Sequence, residues 1–308
     1  FTHRAPAPDA RDNSVLPLGA GPRLAPKPTP KVMPSPHHGV DHYENFPVAS
    51  LLCPPALRPA VRAIYGFART ADDLADEGDA SAADRLKALA QYRRDLHACA
   101  EAQGHSGRWP QVFDALAPAL HKYKLPLGLL DDLLSAFEQD VVQHHYDSRT
   151  QLLDYCRRSA NPVGRLLLHL YGVDDATSLA QSDAICTALQ LINFWQDLSE
   201  DLPRGRLYLP ADLLAEHGLH AGELAGQPSP ELAAMLRAAQ QWARGLMLQG
   251  APLVRRIPGR AGWELRLVVQ GGLRIAERTA ALGPRILRER PKIGPTDVAV
   301  MVWRSLRM

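Results

Sequence analysis

No apolar run in this 308-residue chain reaches the roughly 20 positions that a membrane-spanning helix requires, which excludes an integral helical membrane protein. Cysteine is scarce. The four that occur, Cys53, Cys99, Cys156 and Cys186, are scattered and form no C-x-x-C pair. That pattern argues against a zinc ribbon and a secreted disulfide framework, and reads as small buried side chains in a reducing cytosol. Alternating apolar and polar runs rich in β-branched residues are nearly missing, so a sheet is not expected. Neither sign of charge dominates: 35 Lys and Arg face 33 Asp and Glu, a formal charge of +2. No field of that size calls for a nucleic-acid partner. No long-period repeat marks a solenoid. A basic start followed by an apolar stretch and a small-residue cleavage site is also missing, so a cytoplasmic location is expected.

What is present divides into a tail and a body. Residues 1 to about 36 hold nine of the 26 prolines and almost no periodic apolar pattern. Such a stretch cannot bury enough surface to offset its ordering entropy, and it reads as a disordered tail. Gly19-Ala20-Gly21 has the outline of a dinucleotide fingerprint, but prolines flank it and no strand or helix adjoins it. Residues 37–308 read as one all-α domain, with Leu-, Ala- and Arg-rich segments at helical spacing. Candidate helices cover about 55–77, 82–103, 110–122, 126–146, 150–171, 178–201, 210–217, 230–254, 260–282 and 295–307.

Two of these helices carry matched carboxylates. Tyr65, Arg69, Asp72 and Asp76 fall at about 0°, 40°, −20° and 20° around the first helix. Gln190, Asn193, Asp197 and Asp201 fall at about 0°, −60°, −20° and 20° around the other. Carboxylates at i and i+4 repel, by a few tenths of a kcal/mol when exposed and more when desolvated. Two such pairs on helices apolar enough for burial need a counter-charge. Hard divalent cations supply it, because Mg²⁺ takes carboxylate and phosphate oxygens and keeps several waters. Two such helices facing each other across a bundle would grip a departing diphosphate through Mg²⁺. For either motif alone, a solvated acidic face is the alternative.

With these motifs the chain resembles the head-to-head prenyl synthases, the family of squalene, phytoene and dehydrosqualene synthases, from about residue 43 to 304. Asp72-x-x-x-Asp76 and Asp197-x-x-x-Asp201 match its two aspartate-rich motifs. The match is extended by His42-Tyr43-Glu44-Asn45-Phe46-Pro47-Val48-Ala49-Ser50 and Tyr155-Cys156-Arg157-Arg158-Ser159-Ala160-Asn161-Pro162-Val163-Gly164-Arg165. Asn193-Phe194-Trp195-Gln196-Asp197 and Arg204-Gly205-Arg206-Leu207-Tyr208-Leu209-Pro210 add to it, and the set looks closest to the hydroxysqualene-forming branch of bacterial hopanoid pathways. The resemblance implies a single-domain isoprenoid synthase helical bundle around a central cavity, Mg²⁺ dependence and prenyl diphosphate chemistry. It places Asp72, Asp76, Asp197 and Asp201 at the metal positions. Arg69, Gln190 and Asn193 take positions at the diphosphate end, and Tyr65, Phe46 and Tyr155 those of cavity aromatics or hydroxyls. Asp140 matches an acidic residue near the second reaction centre. Arg206 and Tyr208 lie where the family closes a flap over the diphosphate.

Three positions depart from the family pattern. Gln196 stands where many relatives carry arginine, which fits a site with one anionic group fewer. Arg165 replaces a common glutamate. Gly271-Gly272 lies mid-helix where squalene-type relatives place tyrosine, implying either close packing or extra cavity room.

The reaction so implied is Mg²⁺-dependent ionisation of presqualene diphosphate, rearrangement, and a water quench to hydroxysqualene and diphosphate. The alternatives are condensation of two prenyl diphosphates, as in presqualene diphosphate, squalene or phytoene synthases, and a catalytically inactive all-α adaptor. Asp72-Asp73-x-x-Asp76 also fits a chain-elongating prenyltransferase, but the second motif lacks the paired aspartates of that class. His37, His38 and His42 border the tail and are set aside as metal ligands. His144 and His145, about 100° apart on a helix, read as surface residues at its end. Trp109, Trp242, Trp263 and Trp303 read as packing residues. Arg285, Arg288, Arg290 and Lys292 read first as a solvated face. A lipid substrate makes a peripheral contact with the inner membrane, for product release, the second reading of that cluster.

Overall fold

The computed structural model describes residues 53–308. The expected tail, His37, His38, His42 and Phe46 lie outside the described residues. The helices are α1 (Arg58–Asp76), α2 (Ala82–Ala100), α3 (Pro110–Tyr123), α4 (Leu127–Asp140), α5 (Arg149–Ser159), α6 (Asn161–Leu170), α7 (Ala176–Gln196), α8 (Leu198–Asp201), α9 (Ala211–Glu216), α10 (Pro230–Gly250), α11 (Gly259–Leu282) and α12 (Pro295–Ser305). No strand occurs among the described residues, only an isolated parallel bridge between His145 and Leu207. The all-α expectation holds. No described helix is long and apolar enough to cross a membrane.

Local chemistry sets the helix starts. Ser81, Ser148, Asp175 and Ser229 each accept a hydrogen bond from the backbone N–H three residues on, satisfying a donor that the first turn leaves open. It also sets the breaks, three of which depart from the periodicity. The expected helix over 150–171 is two helices. Pro162 brings no N–H and its ring crowds the preceding turn, so the chain breaks at Ala160 (φ −117°, ψ −47°) and α6 restarts with proline in its first turn. The helix expected over 178–201 breaks at Asp197 (φ −98°, ψ 9°). The Asp201 N–H still donates to the Asp197 carbonyl at 2.9 Å, which keeps the two carboxylates one turn apart. Third, α4 stops at Asp140 rather than 146, because residues 144 to 146 pair elsewhere. The Leu207 N–H donates to the His144 carbonyl and the Ala211 N–H to the Tyr146 carbonyl, both at 2.9 Å. The segment after the second acidic motif is thereby drawn against the end of α4.

Two apolar cores result. The first packs α1 to α4 around Phe67, Tyr92, Phe113 and Leu116, with the Phe67 and Tyr92 rings stacked at 5.1 Å. The second gathers Leu191, Trp195, Met235, Ala239, Met247 and Val269 from α7, α10 and α11. Each fully buried Leu or Phe contributes about 1.5–3 kcal/mol. Helix α6 joins both, placing Leu166 and Leu170 in the first core and Leu168 in the second. At Gly250, α10 crosses α7 with no space for a side chain. An added Cβ would lie 2.5 Å from the Gln181 carbonyl oxygen and 2.9 Å from the Ile185 nitrogen. Backbone cannot yield as a side-chain tip can, so Gly250→Ala is expected to cost about 1–3 kcal/mol of stability. Thermal denaturation would read this as a lower midpoint, and an unchanged midpoint would contradict the tight crossing.

The tryptophans divide. Trp109 is buried and Trp242 packs against the second core, as expected. Trp263 and Trp303 do not fit the packing expectation and stand 42% and 52% exposed. They lie on outward faces of α11 and α12, under the Arg266 and Arg307 guanidiniums at 4.6 and 3.8 Å. Cation–π stacking accounts for an aromatic on a wet face. The four cysteines are unpaired, and Cys53, Cys99 and Cys156 are buried.

Candidate active site

A cavity of about 1640 Å³ is lined by residues of both cores. One face of α1 supplies Val61, Ile64, Tyr65, Ala68, Arg69, Asp72 and Asp76 in succession. From first to last that face runs about 22 Å at 1.5 Å per residue. Its apolar positions come first and its acidic ones last, which gives the cavity an apolar end and a polar end. Helix α7 repeats the order with Ile185, Leu189 and Ile192 before Asn193 and the following Asp197. Ala261, Leu265, Val268 and Gly272 of α11 complete the apolar wall. An added Cβ at Gly272 would lie 2.7 Å from Met247 Cε and 2.8 Å from Leu189 Cδ2, so of the two readings of that glycine the structure favours close packing.

Every candidate residue among the described ones lines this cavity: Tyr65, Arg69, Asp72, Asp76, Asp140, Tyr155, Gln190, Asn193, Asp197, Asp201, Arg206 and Tyr208. Helical spacing brings the first four together, while the His145–Leu207 bridge carries Arg206 and Tyr208 to the end of α4. Guanidinium groups sit on the carboxylates. Arg206 pairs with Asp76, and Arg290 pairs with Asp197 while lying 3.5 Å from Glu200. Arg69 lies 3.4 Å from Asp72, 2.8 Å from Asp73 and 3.0 Å from Glu77. The Asn193 amide donates to Asp197 Oδ2 at 3.2 Å.

The electrostatics separate the carboxylates. Desolvation pushes Asp72 up to about 6, even with Arg69 beside it. Desolvation, with Asp197 adding repulsion, does the same to Asp201, also to about 6. The Arg206 hydrogen bond instead holds Asp76 below the usual carboxylate range. Hard oxygen donors spread over two helix ends suit Mg²⁺, which takes one or two carboxylates and completes its shell with water and phosphate oxygens. Among the described residues no three His, Cys, Asp or Glu side chains form a ready-made metal cage.

Tyr155 donates to Asp140 Oδ2 at 2.7 Å, and Asp140 Oδ1 is buried with no hydrogen-bond partner. Burial pushes Asp140 up to about 7, with the Tyr155 hydrogen bond pulling the other way. Beside this pair stands an aromatic wall. Phe194 and Tyr208 stack with centroids 3.8 Å apart and planes 4° from parallel, and Tyr155 lies 6.0 Å from Phe194.

Two residues were misplaced by sequence reasoning. Arg290 is not part of a solvated face but lines the cavity. The cause is Gln196, whose Nε2 donates to the Pro291 carbonyl at 2.8 Å and ties that segment to the end of α7. Gln196 is buried and does not line the cavity, whereas Arg290 does. No local spacing signals a pairing across 93 residues. His144 is the second, since the early stop of α4 turns it into the cavity lining while His145 is exposed. Arg165 forms a two-point pair with Asp183 at 2.8 and 2.6 Å and does not line the cavity. Phe194, Glu200 and Arg204 also line it, though sequence reading gave them no role there.

Residues 40–297 match the family profile described as squalene/phytoene synthase. A hydroxysqualene synthase from Rhodopseudomonas palustris is 34% identical over 266 residues, 85% of this chain and 88% of that protein. Another, from Zymomonas mobilis, is 41% identical over 184 residues, and the match spans only 59% of either chain. A presqualene diphosphate synthase, also from Rhodopseudomonas palustris, is 32% identical over 61% of this chain and 66% of its own. The crystal structure of squalene synthase HpnC from Alicyclobacillus acidocaldarius is similar at a TM-score of 0.72 and 34% identity, covering 79% of this chain and 90% of that one.

Proposed function

The chain belongs to the squalene/phytoene synthase family, and from that premise we propose that it is a hydroxysqualene synthase, converting presqualene diphosphate and water to hydroxysqualene and diphosphate. The observation that carries this reading is Asp140, a cavity-lining carboxyl group with one unpaired oxygen beside an aromatic wall. A reaction that ends on water needs a base at the cation, and a carboxylate poised near neutral pH is suited to that task. The hydroxysqualene synthase of Rhodopseudomonas palustris, similar along most of both chains, supports the same branch. The cavity exceeds the roughly 300–1,000 Å³ of ordinary small-molecule pockets, as a long isoprenoid requires.

In this reading Asp72 and Asp76 from α1, with Asp197 after α7 and Asp201 at the end of α8, would hold Mg²⁺, which would supply charge neutralisation to the departing diphosphate. Arg69, Arg206 and Arg290 add charge-assisted hydrogen bonds to its oxygens. The carbon–oxygen bond breaks with its electron pair on the diphosphate. Tyr155, Phe194 and Tyr208 face the resulting carbocation, and their ring quadrupoles stabilise it while it rearranges. Water then forms the new carbon–oxygen bond and gives its proton to Asp140.

Product analysis with purified protein tests this. Presqualene diphosphate with Mg²⁺ in ¹⁸O-labelled water is expected to give an alcohol carrying solvent oxygen, and farnesyl diphosphate alone little product. Efficient formation of presqualene diphosphate from farnesyl diphosphate would overturn the reading in favour of a condensing enzyme.

A further inference from the structure

Beside the Asp76–Arg206 pair lies a second, smaller chamber of about 200 Å³. Ala75, Asp76, Asp140, His144 and Arg206 line both it and the main cavity, so the two spaces adjoin across a largely polar wall. Ala82, exposed in the first turn of α2, Arg85 and Val141 line only the chamber. The chamber therefore runs from the molecular surface to Asp140. Two of its lining residues carry a buried polar atom with no partner, Asp140 Oδ1 and His144 Nδ1. Such orphaned atoms are rare in native proteins, and a catalytic role is one of their explanations. Water takes about 30 Å³ and seeks two to four polar partners, so the space and its lining accommodate several molecules.

We propose that this chamber is the water site of the reaction, with His144 and Asp140 holding the molecule that captures the carbocation. The inference rests on the function proposed above and adds the source and placement of its second reactant. A carbocation in a cavity open to bulk water would be quenched at whichever carbon water met first. A chamber opening at Asp140 presents water from one side, next to the base that takes its proton. Diphosphate has by then left with the bonding pair, the water oxygen forms the new bond, and one proton moves to the Asp140 carboxylate. His144 is a positioning residue. In either tautomer its ring offers water one donor and one acceptor nitrogen.

The test is the product ratio from presqualene diphosphate with Mg²⁺, alcohol against hydrocarbons formed by proton loss. His144→Leu keeps the bulk and removes the polar atoms, and Val141→Phe fills the chamber from a position that does not line the main cavity. Both are expected to lower the alcohol fraction about tenfold or more, the scale of a misplaced reactant. His144→Gln, which can still hold water, is expected to restore it. Should His144→Leu fail to fold, judged by circular dichroism, the Val141→Phe ratio decides. Wild-type product ratios in the folded variants would overturn the water chamber and leave the proposed function standing. Absence of any alcohol from the wild-type enzyme would instead overturn both.

Discussion

Asp72→Asn and Asp197→Asn are each expected to lower turnover of presqualene diphosphate about a thousandfold or more, read as diphosphate release at saturating Mg²⁺. Charge neutralisation at a departing anion is worth several kcal/mol, and each 1.36 kcal/mol is a factor of ten. The two variants should part company in stability. Asp72 is held at about 6 against its ordinary 3.8, so the folded chain binds that proton more tightly than the unfolded one. With chelator present, its contribution is lost as pH rises from about 4 through 6, and at pH 7 the ionised group destabilises the fold. Asp72→Asn should therefore melt at the same or a higher temperature than wild type at pH 7, and lose the advantage at pH 4. Asp197→Asn removes the nearer, largely buried carboxylate from Arg290 and leaves Glu200 at 3.5 Å, and should melt lower. Full activity in excess chelator would sink the metal assignment. Matching shifts of melting temperature in both variants would sink the electrostatic account.

Asp140→Asn is expected to slow alcohol formation by about 10²–10⁴, the range for loss of a positioned general base. The pH profile gives a sharper reading. Asp140 must be ionised to take a proton and is held at about 7, so wild-type kcat should rise with pH through that value. In Asp140→Asn the rising limb should vanish. Tyr155→Phe removes the hydrogen bond that favours the ionised form, and the limb should move to higher pH. A limb that persists unchanged in Asp140→Asn would assign it to another group and remove Asp140 from the proton transfer.

The parts of the site legible in the sequence are those built on one helix. The shared face of Tyr65, Arg69, Asp72 and Asp76 follows from 3.6 residues per turn and nothing else, and all four line the cavity. Asp197 and Asp201 kept their relation even though the helix breaks between them, because one backbone hydrogen bond spans the break. Asp140 and Tyr155 have no mutual spacing to read, and only the family resemblance singled them out. Arg290 and His144 escaped both routes. Each owes its place to a backbone carbonyl contact far along the chain, Pro291 with Gln196 and His144 with Leu207, and periodicity carries no information about such contacts. Trp263 and Trp303 were misread for the converse reason, since an aromatic stacked under arginine can stay on the surface that composition would have it leave.

In the proposed reaction the arginines resting on the aspartates would tie the two ligands, Mg²⁺ and diphosphate, together thermodynamically. Arg206 on Asp76 and Arg290 on Asp197 are internal counter-ions, and a cation arriving alone must compete with them for those carboxylates. A diphosphate arriving alone finds the same guanidiniums already engaged. When both arrive, the cation takes the carboxylates, the anion takes the arginines, and each removes the obstacle to the other. Cation and diphosphate should therefore bind with positive cooperativity, and the factor by which one tightens the other must be the same in both directions. In that reading the same exchange run backwards would make product release a reset, with the arginines returning to their aspartates as the inorganic ions depart together.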